Sequence, residues 1–584
     1  MNEWIVGIDL GTTNSELAVV LDGEVKVLPV HGNPIMPSCV GFDPAGKLLV
    51  GQVAKNQWVA APESTVISIK RKMGENVRID LGDRSFSPEE ISSFILRELK
   101  QEGEKQLGKP ISKAVITVPA YFNETQRKAT QTAGMLAGLE VVRILNEPTA
   151  AALAYDADKT ENQTLLVYDL GGGTFDVSVV VVESGVVEVK ASHGDTHLGG
   201  DDFDQLLIDH AVSEFRKIHN RELVLSPQVH HRLKTILERA KCRLSDEPYV
   251  IVREEYIDGK NHLEMEITRE AYERMITPLL EKTLGCVHQA LNDAKFTPRD
   301  IHKVMLVGGA TRTPLVHQLL QERLRLEPRF EIHPDLVVAM GAAIQASVLG
   351  GEKRHSILVD ITPHTLSTAA LGAYYGWERM ICVPIIPRNT ALPVNKAEIF
   401  YTLFDNQKRV QVQVYQGEGP LPEDNFLVGE FMVDGLSEVP SGNPVVLHLE
   451  LDLNGMLKTT ATEKNTGLSK SVAMDLRGKN IINFEEARKN VDDVLHASLS
   501  NSSPFPPKGE RDEEPDGSSQ ELVSAAKDLR KRAEILLTKN ISSEDAQEIN
   551  HSLHQSVQAI AERNWAELGK INNSLSDLLF YLED

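Results

Sequence analysis

Two short stretches, Asp9-Leu10-Gly11-Thr12-Thr13 and Asp169-Leu170-Gly171-Gly172-Gly173-Thr174, repeat one design in separate parts of the chain. Each lies between two apolar runs, a pattern that predicts the tip of a β-hairpin. One such turn alone is ordinary hairpin chemistry, whereas two at matched register indicate a lobe that is duplicated within one polypeptide. We therefore expect two hairpin tips that face each other across a cleft.

Both tips contain the residue types that suit a phosphate chain. Glycine lets backbone N–H groups approach phosphate oxygens, threonine hydroxyls can donate to those oxygens, and aspartate can hold a hydrated divalent cation against them. The sequence therefore predicts a clamp for a nucleoside triphosphate. Its candidate residues are Asp9, Gly11, Thr12, Thr13, Asp169, Gly171, Gly172, Gly173 and Thr174.

Composition narrows the class of protein. The chain has 584 residues, enough for several domains, and its 61 basic and 84 acidic side chains give a net charge of −23. This acidity argues against nucleic acid or an anionic membrane as the main partner. The four cysteines are too widely spaced for a zinc site or a disulfide framework. Neither a signal peptide nor a membrane span is visible, so we expect a cytoplasmic protein.

The pattern of apolar residues divides the chain into regions. Residues 1–355 alternate strand-like runs with amphipathic helices, which is typical of an α/β domain. Ser87-Pro88-Glu89-Glu90 predicts the start of one helix, because serine can cap it and Glu90 stands where a capping box needs a carboxylate. After Asp360 the period changes to two, and short strands between Gly and Pro turns predict an antiparallel β-sandwich over residues 361–480.

Further local predictions concern the sandwich and the tail. Leu447 to Leu453 alternates leucine with polar residues and precedes Asn454-Gly455, which predicts a strand and a hairpin turn. Residues 481–499 are predicted to form a helix. Residues 500–519 are rich in proline, serine and acidic residues, which predicts a disordered linker. Residues 520–584 repeat apolar positions at helical spacing, so we expect a short helical segment there.

Two charged residues outside the hairpin tips are candidates for chemistry in the cleft. Lys70 ends an apolar, strand-like run, from which its ammonium group could reach a β- or γ-phosphate, although a single lysine is usually surface charge. Glu147 stands in a turn between the strand run Val141 to Leu145 and the helix-forming run Ala150 to Tyr155. Its carboxylate could orient an attacking water, or it could simply serve the helix dipole.

Contacts to a nucleoside are suggested by two further elements. Glu238, Lys241 and Ser245 share one face of a helix that a preceding Ser-Pro pair is predicted to open. Such a row is usually a solvated face. The interpretation as a nucleoside contact is supported by the turn at Gly308-Gly309 and by Arg312, whose guanidinium can stack on a base.

The glycine motifs that are present and absent elsewhere in the chain indicate which class of nucleotide-binding site it has. Gly199-Gly200 offers further backbone donors to phosphate oxygens. The chain contains no Gly-x-x-x-x-Gly-Lys-Ser/Thr segment, and it lacks Gly-x-Gly-x-x-Gly followed by a ribose-binding acid. The site is therefore predicted to be neither a P-loop nor a dinucleotide-binding fold.

Five segments, taken together and in order, resemble the signatures of the heat shock protein 70 (DnaK-type) chaperones. They are Gly7 to Ser15, Val118 to Phe122, Asn146 to Tyr155, Asp169 to Asp176 and Leu306 to Arg312. The resemblance covers nearly the whole chain. It implies an actin-like ATPase domain of two ribonuclease-H-like lobes (1–355), an interdomain linker (356–360), a β-sandwich that grips extended apolar peptides (361–480), and a helical lid that begins at 481–499.

The resemblance also implies a role for each candidate residue. Lys70 and Glu147 would form the catalytic pair for attack of water on the γ-phosphate of ATP, assisted by Asp169 and Thr174. Asp9, Asp169 and Asp176 would organise Mg²⁺ and K⁺. ATP or ADP would further be held by Gly199, Gly200, Glu238, Lys241, Ser245, Gly308, Gly309, Arg312 and Asp335.

The same resemblance implies which residues couple the two domains and which partners the protein binds. Pro119 and Arg127 match the family's interdomain relay, and Arg143 with Asp360 match positions where a J-domain co-chaperone docks. The linker Ser356 to Asp360 would add an edge to the ATPase domain in the ATP state. Unfolded or extended polypeptides and a nucleotide exchange factor are the other implied partners.

The chain also departs from typical members of the family. It is shorter between Gly74 and Ala114, and its tail is interrupted by the Pro-rich segment 500–519, features that resemble the HscC-type branch. We predict an ATP-dependent chaperone whose slow hydrolysis drives binding and release of apolar polypeptide segments. The alternatives are a metabolite kinase on the same ATPase fold and a non-hydrolysing, exchange-factor-like scaffold.

Overall fold

The computed structural model describes residues 4–58, 60–156, 162–329, 332–352, 357–473 and 483–500, together with single positions between 526 and 579. The chain divides into two compact units, Met1–Ser502 and Ser503–Asp584, which are described separately. In these described residues, no helix is both long enough and apolar enough to cross a membrane.

The first lobe of the larger unit is built on a mixed sheet. Its strands are β1 (Trp4–Leu10), β2 (Asn14–Leu21), β3 (Glu24–Val27), β4 (Met36–Pro37), β5 (Cys39–Phe42), β6 (Leu48–Val50), β7 (Thr65–Ile67), β8 (Ile79–Leu81), β9 (Arg84–Phe86), β10 (Ile111–Val118) and β11 (Glu140–Asn146). Its helices are α1 (Gln52–Trp58), α2 (Pro88–Leu107), α3 (Glu124–Leu136) and α4 (Glu147–Asp156). The main sheet has the order β11-β10-β1-β2-β3. Strand β1 is antiparallel to β2 and parallel to β10.

The second lobe repeats this plan. Its strands are β12 (Gln163–Leu170), β13 (Phe175–Glu183), β14 (Val186–Asp195), β15 (Tyr249–Glu254), β16 (Leu263–Thr268), β17 (Lys303–Val307), β18 (Pro328–Arg329) and β19 (Ile357–Val359). Its helices are α5 (Gly200–His219), α6 (Pro227–Leu244), α7 (Arg269–Ala294), α8 (Pro314–Leu324) and α9 (Val337–Leu349). The sheet order is β18-β17-β12-β13-β14-β19, with β12 antiparallel to β13 and parallel to β17. The first five strands follow the order and the pairing of the first sheet, which is the repeat that the sequence predicts.

The two quoted stretches form matching hairpin tips, which confirms the prediction. The first joins β1 to β2 between Leu10 and Ser15, and the second joins β12 to β13 between Leu170 and Phe175. Between the two sheets, α4 and α9 share an apolar core with strands of both lobes. Gly341 permits this contact, because a Cβ there would lie 1.7 Å from the carbonyl oxygen of Ala150.

Local signals at two helix starts behave as predicted. Ser87 caps α2 in a full capping box with Glu90, and the apolar face of that helix, formed by Ile91, Phe94, Ile95 and Leu99, is buried. Ser226 caps α6, and Glu238 and Lys241 lie within that helix. Ser245 lies one residue beyond the last residue of α6, at its C-cap.

The third part of the larger unit consists of two four-stranded antiparallel sheets. Its strands are β20 (Leu366–Tyr374), β21 (Trp377–Ile386), β22 (Val394–Tyr401), β23 (Arg409–Gln416), β24 (Phe426–Asp434), β25 (Pro444–Leu451), β26 (Leu457–Glu463) and β27 (Ser469–Ala473). The sheet orders are β21-β20-β23-β24 and β22-β25-β26-β27. Inward side chains such as Val414 and Leu449 form one core shared by both sheets.

One boundary in this part differs from the prediction. Strand β25 ends at Leu451, whereas the alternation of leucine continues to Leu453. Leu453 is exposed because the chain has already entered the turn before β26. The turn at Asn454-Gly455 is confirmed, and Gly455 has the positive φ of 75° that favours glycine there.

The segment that joins the parts pairs with the second lobe. Strand β19 runs parallel to β14, with Val186 opposite Ile357. Helix α10 (Phe484–Ser500) packs on the first lobe, where Val491 and Val494 enter the core that contains the apolar face of α2. The linker segment and α10 thus contact opposite lobes.

The smaller unit contains a separate apolar cluster. Leu529, Ala533, Ile549, Leu575 and Leu579 are buried together. Three of these leucine and isoleucine positions, Leu529, Ile549 and Leu575, belong to the predicted helical stripe. The predicted disordered linker at 500–519 lies outside the described residues, except Ser500 at the end of α10.

Candidate active site

A cavity of about 630 Å³ opens between the two lobes, and both hairpin tips line it. A cavity of this size accommodates a nucleotide-sized ligand. Most of the predicted site residues meet here. Those that line the cavity are Asp9, Gly11, Thr12, Thr13, Lys70, Glu147, Asp169, Gly171, Gly172, Thr174, Gly200, Glu238, Lys241, Ser245, Gly308, Gly309, Arg312 and Asp335.

Three predicted residues lie behind the wall of the cavity. A Cβ on Gly199 would lie 2.5 Å from the carbonyl oxygen of Gly172, so the residue serves close backbone packing. Gly173 packs against the Thr12 side chain in the same way. Asp176 accepts a hydrogen bond of 3.0 Å from the Tyr121 amide. The structure therefore places these residues in support of the hairpin tips.

Glycines bring the two tips into close contact. A Cβ on Gly172 would lie 1.9 Å from the Thr13 hydroxyl oxygen on the opposite tip. Gly308 has a φ of 82°, and a Cβ there would lie 2.4 Å from the carbonyl oxygen of Leu170. Any larger residue at either position would push the walls apart, so the glycines are required for the shape of the cavity.

Lys70 and Glu147 form a buried ion pair at the floor of the cavity. Lys70 Nζ donates to Glu147 Oε1 at 2.5 Å, and the two side chains are 3% and 10% exposed. Burial opposes the charge on Lys70, but Glu147, Asp9 and Asp169 together outweigh burial and raise the pKa of Lys70. Lys70 is therefore charged and is held against Glu147 in one geometry.

The backbone around this pair differs from the prediction in two ways. The strand before Lys70 ends at Ile67, Ser68 takes a left-handed φ of 54°, and Lys70 lies in a single 3₁₀ turn, Ile69–Lys72. Glu147 is the first residue of α4 rather than part of a separate turn, because β11 ends at Asn146. Both changes point the side chains into the cavity instead of along a strand.

The carboxylates of the two tips lie close to this pair. Thr117 Oγ1 donates to Asp9 Oδ1 at 2.7 Å. Burial, and then the charge of Glu147, raises the pKa of Asp9 and raises that of Asp169 well above its ordinary value. The same two causes raise the pKa of Asp176 to about 7. Such a concentration of carboxylates fits a hard cation with oxygen ligands.

The second lobe supplies the opposite wall. Lys241 pairs with Asp204 at 2.6 Å and donates to the Gly200 carbonyl at 3.0 Å. Arg312 pairs with Asp335 at 2.9 Å and remains half-exposed, so that its guanidinium plane is available at the mouth of the cavity.

Contacts across the cleft hold the lobes together. Lys55 of α1 pairs with Glu238 of α6 at 3.3 Å. Ser68 donates to Asp201 at 2.8 Å, and Arg71 pairs with Asp202 at 2.8 Å. Sequence reasoning missed these contacts, because they join residues far apart in the chain that meet only when the lobes close.

A second omission is Glu16, which also lines the cavity. It lies opposite Asp9 in the β1–β2 ladder, as Asp176 lies opposite Asp169 in the β12–β13 ladder. The repeat of the two hairpins was the available signal, since it gives both pairs the same spacing along the chain.

The proposed coupling residues form a separate network beneath the cavity. Arg127 donates to the side-chain oxygen of Asn146 at 2.6 Å, and the Asn146 amide donates to both carboxylate oxygens of Asp360 at 3.0 Å. Arg143 is buried, and its Nε has no hydrogen-bond partner among the described residues. Pro119 accepts from the Phe122 amide. Because Asn146 directly precedes Glu147, this network connects Asp360 to the ion pair.

Comparisons with known proteins agree with this geometry. A family model described as "Hsp70 protein" matches residues 5–81 and 75–580. The chaperone protein DnaK of Thermotoga neapolitana is 46% identical to this chain over 505 residues, which are 84% of this chain and 83% of that protein. The chaperone protein DnaK of Thermotoga maritima is 45% identical with the same coverage. The chain therefore belongs to the Hsp70 family.

Membership confirms the predicted class of function. The protein is an ATP-dependent chaperone of the DnaK type, it is an ATPase, and it binds unfolded polypeptides. Neither the metabolite kinase nor the non-hydrolysing scaffold gains support from the comparisons. They also do not single out the HscC-type branch, so that assignment stays a prediction.

Proposed function

We propose that ATP is hydrolysed in the cavity between the lobes and that Lys70 and Glu147 carry the chemistry. The observation behind this proposal is the buried, charged pair beside the two phosphate-binding tips. In this role Glu147 positions the attacking water, and Lys70 stabilises negative charge that develops on the γ-phosphate. Thr174 and Asp169, which line the same wall, would contact the phosphate chain and the water.

We further infer that Asp9, Asp169 and Asp176 organise the cations of the site. Two of these carboxylates line the cavity, and Asp176 supports them from behind. Oxygen ligands of this kind suit Mg²⁺, and K⁺ is the second cation that we propose. When bound, Mg²⁺ neutralises charge on the phosphate oxygens. Adenosine would lie between Arg312 and the face of α6 that lines the cavity, which carries Glu238, Lys241 and the adjoining Ser245.

The proposed layout assigns the remaining parts. Residues 1–355 would be the actin-like ATPase domain, 356–360 the linker, 361–480 the β-sandwich and 481–499 the first lid helix, with 500–519 a linker to the helical segment 520–584. Exposed apolar side chains support a peptide-binding role for the sandwich, among them Tyr401, Leu403, Phe404 and Phe426. Extended peptides bind such surfaces by side-chain pockets and backbone hydrogen bonds.

Coupling would run through the network beneath the cavity. Strand β19 lies against β14, the arrangement that the family resemblance assigns to the ATP-bound state. The carboxylate of Asp360 binds Asn146, the neighbour of Glu147, and Asn454 of the sandwich accepts from the Ile144 amide in the same strand. Movement of the sandwich would therefore be transmitted to the strand that positions Glu147.

We also propose the partners and the setting that the resemblance implied. A J-domain co-chaperone would dock where Arg143 and Asp360 meet the sandwich, and a nucleotide exchange factor would act on the lobes. We propose that the protein works in the cytoplasm. The HscC-type branch is retained as the proposed subfamily.

Single-turnover hydrolysis of ATP by the full chain, with and without an extended apolar peptide, tests these proposals. We expect the peptide to accelerate hydrolysis, which requires communication between the cavity and the sandwich. Hydrolysis that no apolar peptide alters would contradict the proposed coupling. Acceleration that survives removal of Lys70 would contradict the proposed chemistry.

A further inference from the structure

Glu16 is a buried carboxylate of the cavity that no step of the proposed chemistry uses. It lies on β2, lines the cavity, and is 3% exposed. Within the described part of the chain its side chain makes no hydrogen bond and no ion pair, whereas the side chain of its neighbour Asp9 accepts from Thr117. The ionised form of a buried carboxylate without a partner is costly, so a positive ligand from outside the protein would stabilise that form.

The lysines and arginine that line the cavity do not supply that ligand. Each already has an acidic partner of its own. The pairs are Lys55–Glu238, Lys70–Glu147, Lys234–Asp201, Lys241–Asp204 and Arg312–Asp335. Asp169 resembles Glu16 in this respect, since among the described residues it too has neither a hydrogen bond nor an ion pair. The acidic and basic groups of the cavity that lack a partner among the described residues are therefore carboxyl groups.

Asp176, the corresponding acidic residue of the second hairpin, has a hydrogen-bond donor within the protein. Asp176 lies opposite Asp169 as Glu16 lies opposite Asp9, but Asp176 is turned away from the cavity and accepts from the Tyr121 amide. Glu16 carries one more methylene than an aspartate and lines the cavity instead. The repeat thus places a carboxylate in the cavity at only one of two equivalent positions.

We propose that Glu16 is a cation ligand of the nucleotide cavity, which together with Asp9, its neighbour across the β1–β2 ladder, lets the protein bind a hard divalent cation before any nucleotide is present. This inference rests on the proposed cation role of Asp9 and Asp169. Divalent cations of this class are held by several carboxylate and water oxygens, and each additional carboxylate raises the affinity.

Binding of Mn²⁺ to the nucleotide-free protein, followed by electron paramagnetic resonance, tests the proposal without any activity measurement. Glu16→Gln keeps the shape of the side chain and removes its charge. We expect it to weaken Mn²⁺ binding at least about tenfold, the loss that even an outer-shell partner of a metal causes. Glu24→Gln is the matched control, because Glu24 is exposed on the adjacent strand β3.

Two further variants separate the possible failures. Asp9→Asn tests the proposed cation set itself. If Asp9→Asn weakens Mn²⁺ binding and Glu16→Gln does not, the inference about Glu16 is overturned while the proposed set stands; if neither does, both are overturned. Glu16→Met, which is apolar and of similar length, replaces Glu16→Gln if that variant does not fold, and an unchanged Mn²⁺ affinity in it would equally overturn the inference.

Discussion

The two hairpins at the cavity have the same backbone design and carry different chemistry. In the first, Asp9 is fixed by Thr117 and Glu16 lines the cavity. In the second, Asp169 lines the cavity and its side chain has no partner among the described residues, and Asp176 is turned to the Tyr121 amide. Duplication therefore supplies matched positions, and the side chains packed behind each strand decide which carboxylates reach the ligand.

The two lobes also differ in the charged side chains that they bring to the cavity. The first lobe contributes the buried pair of Lys70 with Glu147, whereas the second contributes Lys241 and Arg312, whose acidic partners are on the same lobe. We infer that the first lobe carries the proposed catalytic pair and that the second lobe carries most of the affinity for the nucleoside. Each prediction below compares a residue of one lobe or hairpin with a counterpart elsewhere.

Replacement of Lys70 is expected to have the largest effect. Lys70→Ala should lower the single-turnover rate of ATP hydrolysis by about 10²–10³-fold while nucleotide still binds, because a preorganised charge at the γ-phosphate is lost. Lys241→Ala is the counterpart on the second lobe. It should raise the nucleotide Kd by about tenfold, or about 1.4 kcal/mol. The rate at which the bound complex hydrolyses ATP should remain close to that of the unchanged protein.

These two variants test the division of labour directly. Rapid-quench measurement of hydrolysis gives the rate, and titration with a fluorescent ADP analogue gives the affinity. Lys26→Ala, on the exposed strand β3, is the control for loss of a lysine outside the cavity. If Lys241→Ala reduces the rate of the bound complex as strongly as Lys70→Ala does, the comparison between the lobes is wrong.

Replacement of Asp360 is expected to have the next largest effect. Asp360→Asn leaves a neutral amide against Asn146, so the network that ends at Glu147 loses its charged partner. We expect the acceleration of hydrolysis by peptide to fall by about fivefold or more, within the usual range of allosteric coupling of about 1–3 kcal/mol. The measurement is the ratio of hydrolysis rates with and without a saturating apolar peptide.

Asp293 provides the counterpart on the second lobe. It pairs with Arg388 of the sandwich at 2.8 Å, but its hydrogen bonds do not reach Lys70 or Glu147. Asp293→Asn should therefore weaken docking of the sandwich with a smaller loss of acceleration. Equal losses in the two variants would show that coupling is spread over the interface and does not depend on the Asp360 network.

The carboxylates of the cavity should make stability depend on pH in a way that cations suppress. Burial raises the pKa of Asp176 to about 7 and raises that of Asp9, so the folded state holds protons that the unfolded state releases. Stability from this source is present at low pH and is lost as pH rises through the folded-state pKa. Without cations or nucleotide, Tm should rise by about 2–4 °C between about pH 8 and about pH 6.5.

Calorimetry in a chelator, repeated with Mg²⁺, checks this expectation. Asp176→Asn should flatten the pH dependence, and Mg²⁺ should remove most of the remainder by binding the ionised forms. The Tm comparison is limited to pH values above about 6.5 because of His364. Burial lowers the pKa of His364 to about 4, so the unfolded state binds a proton there before the folded state does, and this lowers Tm as the pH falls further. A Tm that falls between about pH 8 and about pH 6.5 in the chelator would contradict the assignment.

Short-range features of the fold could be predicted from the sequence. The two hairpins, the capping box at Ser87 and the turn at Gly455 depend on residues within a few positions of one another, so the local pattern specifies them. The glycines of the cavity could be recognised from their local motifs, although the close contacts that they permit, such as Gly172 with Thr13, join distant parts of the chain.

Features that depend on long-range closure could not be predicted in the same way. The 3₁₀ turn that presents Lys70 begins after the left-handed residue Ser68, whose side chain is bound by Asp201 on the other lobe. Glu16 faces the cavity because of the register between β1 and β2, which a turn motif does not specify. The pair Lys55–Glu238 exists only when the lobes have closed.

The smallest expected effect concerns the helix caps of the two lobes. Ser87 is buried and forms a reciprocal capping box with Glu90, and Glu90 also accepts from Asn490 of α10. Ser226 caps α6 by a single hydrogen bond and is less buried. Ser87→Ala should cost about 1–2 kcal/mol and Ser226→Ala about 0.5–1 kcal/mol, the upper and lower parts of the range for such caps.

Hydrogen exchange of the first-turn amides of α2 and α6 measures each loss locally, and it also reports whether removal of the Ser87 cap loosens α10 through Glu90. If exchange at α10 is unchanged while α2 opens, the first lobe holds α10 by the apolar contacts of Val491 and Val494 alone.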